Sequence, residues 1–242
     1  MTDALQQARI DLAVALRWAD RYDLAEGVCN HFSLAAPGRH GEFLINPQGF
    51  HWSEITPDHI LLVDVNGKVI EGKYTVEPGA FWIHSRIHNS EKAPACVMHT
   101  HMPYATALAI VEGGRLEPAS QNALRYYGRV AYEEEYNGLV TDEAAGDRLC
   151  AKLLTADILF LSNHGVIVTG DNVANTFDDL YYLERACMLQ VIASTTGKTL
   201  KRISHLVATH TVKLMVEDRA QSIALLAALQ RILDKEDPGW RE

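Results

Sequence analysis

Cys96-Val97-Met98-His99-Thr100-His101-Met102-Pro103-Tyr104-Ala105-Thr106-Ala107 is the stretch on which the reading of this chain turns. Residues 96–100 have the character of a buried strand. Residues 103–110 read as the helix after it, because the fixed φ of Pro103 suits a first helical turn. Further along, 158–162 and 166–169 are two strands separated by the tight turn Asn163-His164-Gly165. Upstream, the short apolar run 44–46 leads into the turn-rich Pro47-Gln48-Gly49. Residues 60–65 are β-branched, and Asn66-Gly67 is a hairpin turn into 68–71. Helical spacing marks 3–24 (Leu5, Leu12, Leu16, Ala19) and 209–234 (Leu225, Leu226, Leu229, Leu233), with further helices over 80–89 and 173–195. Helices enclose the strands, and the hairpins imply antiparallel pairing. The expectation is an α/β fold: a three-layer α/β/α sandwich around a mixed, mainly antiparallel sheet, with 1–242 as a single domain.

Composition narrows the partners. The net charge is −9, with no basic face or tail, which argues against nucleic acid. Cys29, Cys96, Cys150 and Cys187 lie far apart with no CxxC pair, so neither a disulfide framework nor a structural zinc knot is expected. No leader pattern and no apolar run of about 18 residues stands out. The expectation is a cytoplasmic protein with a small-molecule substrate and no membrane partner.

His99-Thr100-His101 sits where a strand ends. Alternation places residues i and i+2 on one side, so two imidazoles can converge on one ion. His164, on its tight turn, can be presented at a sheet end. Three neutral imidazoles leave coordination positions open for substrate or water, as a catalytic metal needs. Imidazole ligands alone admit zinc, iron, manganese, cobalt or nickel. The competing reading is an accidental HxH and a simple turn histidine.

His99 to Ala107 resembles the HxH segment of the class II aldolase/adducin superfamily, and Asn163-His164-Gly165 is similar to its third-ligand turn. Cys29-Asn30-His31-Phe32-Ser33 resembles the family's GNxS loop, with Cys in place of Gly. Asn46-Pro47-Gln48-Gly49 resembles its TPTG turn, and Glu71-Gly72-Lys73 follows in order. The resemblance implies an α/β/α fold like that of a fuculose-phosphate aldolase or an adducin head. It also implies a homotetramer with sites between neighbouring subunits, and one divalent ion per chain on His99, His101 and His164. Zinc is the first choice, with manganese, iron or cobalt as alternatives.

This chain departs from the pattern where sugar-phosphate aldolases carry Ser-Ser-Glu, the serines gripping phosphate and the Glu acting as acid/base. Pro78-Gly79-Ala80 stand there instead, ahead of the His corresponding to His84. Glu77 is the adjacent candidate for proton transfer. The family's tyrosine acid aligns near Asn122, leaving Tyr126 or Tyr127 as substitutes. Asn30 lines the pocket or caps a turn. Gln48 and Gly49 offer backbone amides to an anion or form a plain turn. Arg125 could bind a carboxylate. His31 reads as an exposed loop residue, and His84 and His88, one helical turn apart, as core or surface residues.

Three functions follow from the resemblance. The first is a metal-dependent carbon–carbon lyase, a decarboxylase or retro-aldolase, whose Lewis-acidic ion stabilises an enolate. Its substrate would be a non-phosphorylated hydroxy, keto or aromatic acid. The second is a non-haem iron oxygenase on the same three histidines. The third is a non-catalytic, adducin-like assembly protein, disfavoured because adducin-type relatives typically lose these histidines.

Overall fold

The computed structural model describes residues 3–241. Eight strands form one sheet: β1 (His31–Ala35), β2 (Glu42–Ile45), β3 (Leu61–Asp64), β4 (Val69–Glu71), β5 (Cys96–Thr100), β6 (Val130–Glu133), β7 (Ile158–Leu161) and β8 (Gly165–Gly170). Their spatial order is β4-β3-β2-β1-β5-β8-β7-β6. The pairings are antiparallel except β6 with β7, which is parallel. The helices are α1 (Ala4–Arg21), α2 (Pro78–His88), α3 (Pro103–Ala109), α4 (Gln121–Leu124), α5 (Glu143–Leu153), α6 (Val173–Ser194), α7 (His205–Glu217) and α8 (Ala220–Glu236). The expected α/β/α sandwich with a mixed, mainly antiparallel sheet is what forms.

The two faces of β5 explain why its first three residues, Cys96, Val97 and Met98, are all apolar. Cys96 and Met98 join a core built with α1, α6 and α8, including Leu12, Leu16, Phe177, Leu180 and Leu229. Val97 joins the opposite core, where Ile83 and Ile87 of α2 meet Leu149 and Leu153 of α5. A strand covered on both faces has no reason to alternate with polar residues. Neighbouring β1 obeys the same period of two: Phe32 and Leu34 enter the α1 side. His31 and Ser33 therefore face α2, as does His99, and His31 pairs in register with His99.

Helix ends are set by local chemistry. The Glu77, Asp142 and Asn172 side chains accept from Ala80, Ala145 and Asn175 N–H, starting α2, α5 and α6. Two sequence expectations are corrected. The helix over 209–234 is two helices broken at Asp218-Arg219. Asp218 has left helical geometry (φ −102°, ψ 98°), and Arg219 turns inward to hold both carboxylate oxygens of Asp179 at 2.9 Å. The second correction is His31: it lies in β1 at the middle of the sheet and is buried, not in an exposed loop. Among the described residues, no helix is long and apolar enough to cross a membrane, and the four cysteines are free thiols.

Candidate metal centre

At the end of β5, His99, His101 and His164 converge so that one nitrogen of each lies within 4.8 Å of the others. Three local features place them. β5 delivers His99 directly, and the chain leaving it delivers His101. The β7–β8 turn delivers His164, with Asn163 in the left-handed region (φ 56°) and its N–H held by the Ala109 carbonyl at 3.1 Å. Gly165 lets that turn approach β5: a Cβ there would meet the Thr100 carbonyl and would lie 2.9 Å from the His101 ring.

Hydrogen bonds fix which nitrogens face the centre. His99 donates from Nδ1 to the Val166 carbonyl at 2.9 Å, leaving the Nε2 lone pair free. His101 donates from Nδ1 to the Glu26 carboxylate, leaving its Nε2 free as well. Those two Nε2 atoms are 3.1 Å apart. Two lone pairs facing each other at that distance repel unless a cation lies between them. The outer acceptors, a backbone carbonyl and a carboxylate, are the kind that orient metal-bound imidazoles. Burial pushes His99 well below the usual histidine range, with His31, His164 and His101 adding to it. Burial, with His101 beside it, lowers His164 to about 4. His99 and His164 are thus neutral near neutral pH, and the three-nitrogen donor set fits a divalent ion such as zinc.

A cleft of about 550 Å³ opens on this cluster. His31, Gln48, Glu77, Val28, Leu139 and Thr141 are among its walls, and among the described residues no Lys or Arg lines it.

A model of the class II aldolase and adducin N-terminal domain matches residues 10–191. The chain belongs to the class II aldolase/adducin family. It is 32% identical over 242 residues to a Pseudomonas aeruginosa protein provisionally named an aldolase class 2 protein, covering 98% of this chain and 92% of that one. It is 34% identical over 195 residues to human beta-adducin, covering 78% of this chain and 26% of adducin. The crystal structure of an aldolase II superfamily protein from Pseudomonas syringae superposes with a TM-score of 0.91 at 28% identity, over 100% and 98% of the two chains. The L-fuculose 1-phosphate aldolase of Glaciozyma antarctica shares the fold, with a TM-score of 0.87 at 22% identity over 98% and 93%.

Within this class II aldolase fold the candidate residues divide. Glu77, Gln48 and Gly49 line the histidine cleft. Asn30 does not; its Oδ1 accepts from Glu26 N–H at 2.9 Å, shaping the loop that brings Glu26 to His101. Tyr126 is corrected: it is buried in the main core, and its hydroxyl donates to the Asp179 carbonyl at 2.7 Å. Arg125 is corrected too, being paired with Asp178 at 2.8 Å and stacked over Tyr182, away from the cleft. On the sequence alone, Glu26 is given no role and His31 is taken for an exposed loop residue. Nothing local marks Glu26, whereas His31-x-Ser33 facing His84 and His88 is a pattern that the strand period exposes once β1 is known.

Proposed function

We propose that this chain is a divalent-metal-dependent carbon–carbon lyase acting on a non-phosphorylated hydroxy or keto acid, a decarboxylase or retro-aldolase. The observation that carries it is the convergence of three histidines on a cleft that, among the described residues, has no Lys or Arg in its wall. A bound divalent ion would supply Lewis acidity to a chelating carbonyl. A phosphate dianion, by contrast, needs several charge-assisted donors, and losing each costs about 1.5–3 kcal/mol. Pro78, Gly79 and Ala80 provide no hydroxyls where the family's phosphate-gripping serines would stand.

Glu77 is the acid/base in this reading. Its carboxylate accepts from Ala80 N–H at 2.5 Å, which holds it at the start of α2 and on the cleft wall. Glu77→Gln keeps the cap and removes the proton-transfer group. It is expected to lower turnover by at least about 100-fold while the metal stays bound. Zinc is the first choice of ion, with manganese, iron or cobalt as alternatives. The whole chain acts as one domain in a homotetramer in the cytoplasm, with its site near a subunit boundary.

The test begins with elemental analysis of protein purified without chelators. One ion per chain in the wild type, lost in His101→Ala, is expected, because two remaining imidazoles hold metal weakly. Turnover of sugar phosphates is then compared with that of matched hydroxy and keto acids. Efficient turnover of a sugar phosphate and of none of the acids would overturn the substrate class. A wild type that takes up no metal would favour an assembly role of the kind the similarity to beta-adducin raises.

A further inference from the structure

Behind the metal cluster runs a buried chain of side chains that the reading above does not use. His88 Nδ1 is 3.0 Å from the Pro94 carbonyl, and its Nε2 is 2.6 Å from Ser33 Oγ. Ser33 Oγ also contacts His84 Nδ1, and His84 Nε2 is 2.7 Å from His31 Nδ1. His31 lines the cleft, and its Nε2 is the ring nitrogen with no hydrogen-bond partner among the described residues.

The direction of every bond in this chain follows from its far end. A carbonyl only accepts, so His88 donates from Nδ1 and its Nε2 is a lone pair. That lone pair takes the Ser33 hydroxyl proton. Ser33 Oγ then accepts from His84 Nδ1–H, and His84 Nε2 accepts from His31 Nδ1–H. Three neutral rings and one hydroxyl hold four protons, and the four contacts consume all of them. None is left for His31 Nε2. Burial keeps the relay neutral, lowering His88 to about 4 and His84 well below the ordinary range.

We propose that His31 is a further substrate-contacting residue, its Nε2 held as an acceptor by the Pro94–His88–Ser33–His84 chain and taking a hydrogen bond from a substrate hydroxyl beside the metal. His31 is not one of the metal ligands: the nitrogens that converge belong to His99, His101 and His164. His31 pairs in register with His99, and their rings lie 4.8 Å apart. A chelated substrate therefore passes next to this lone pair. A fixed acceptor favours a ligand carrying a hydroxyl over its deoxy counterpart, which leaves the nitrogen desolvated and unpaired. This inference rests on the metal-dependent reading above.

Glycerate and lactate present the same 2-hydroxycarboxylate chelate and differ in one hydroxyl, which makes them suitable probes. Calorimetry on the zinc-loaded protein is expected to show glycerate bound roughly two- to ten-fold more tightly. That preference should vanish in His31→Phe, with one zinc per chain retained. A second readout needs no metal. Nitrogen-15 long-range spectra of histidine-labelled, metal-free protein should place the single proton of His31 on Nδ1, and Ser33→Ala should scramble that tautomer. A proton on Nε2 of His31, no glycerate preference in the wild type, or an unchanged preference in His31→Phe would each overturn the proposal. Loss of zinc from the wild type would instead defeat the lyase reading, and the metal-free spectra would still report on His31.

Discussion

His88 shows how burial converts into a dependence on pH. Its folded value is lowered from 6.5 to about 4, by burial first, with the Pro94 carbonyl bond opposing. An unfolded His88 takes up a proton as pH falls through about 6.5, and the folded one does not until about 4. Between those values the unfolded state binds more protons, so stability falls as pH falls and levels off below about 4. A shift of that size corresponds to a loss on the order of 3 kcal/mol. His31 and His84 are shifted in the same direction by burial, and they add to the effect. Urea unfolding of metal-free protein at about pH 7.5 and about pH 5 should show a clearly lower midpoint at the acid pH. An unmoved midpoint would mean that these rings are not buried and neutral.

At the scale of elements, the metal centre depends on how closely the β7–β8 turn can approach β5. Gly165 has the room of a bare backbone and no more, since a Cβ would strike the Thr100 carbonyl. The Cβ position is fixed by the Gly165 backbone and the Thr100 carbonyl is itself backbone, so a rotamer change cannot relieve the clash. Gly165→Ala is expected to destabilise by about 1–3 kcal/mol and to weaken metal binding, because the turn that carries His164 must retreat. Thermal unfolding and zinc titration measure the two effects, and a fully stable, fully metal-loaded variant would contradict the packing argument. The same elements show what the sequence made legible. β5 and β8 were readable because a doubly covered strand carries consecutive apolar residues, here 96–98 and 166–168, His99 and His101 because their spacing matches the sheet period, and His164 because it stands on a tight turn between two strands. β1 was hidden because its α2-facing positions are His31 and Ser33, polar residues satisfied only by His84 and His88, some fifty positions away. The break between α7 and α8 was hidden because no Gly or Pro marks it; the Arg219–Asp179 contact, between distant segments, makes it. Arg125 and Tyr126 look like site residues in sequence for a related reason, since their partners Asp178 and Asp179 lie on α6.

For the whole molecule, the apolar surface around the cleft bears on assembly. Leu139 is 78% exposed and Val28 48% exposed, and both line the same cleft as the metal histidines. On the last two helices Leu206 is 80% exposed and Ile223 61%. Large side chains left in water at the mouth of a polar cluster mark an interaction surface more often than a free one. Burying Leu139 against a neighbouring subunit would also exclude water from the cleft, where electrostatic contacts strengthen as the surroundings dry. A stable interface buries on the order of 1,600 Å² in total, so one leucine contributes only part of it. Sedimentation equilibrium at micromolar concentration is expected to give four times the 26.9 kDa chain mass. Leu139→Asp places a charge at that mouth and should shift the distribution to smaller species, with weaker ligand binding and unchanged zinc content, because the three histidines come from a single chain. A wild-type monomer with full activity would show that the cleft is complete without a neighbour and that Leu139 meets the substrate instead.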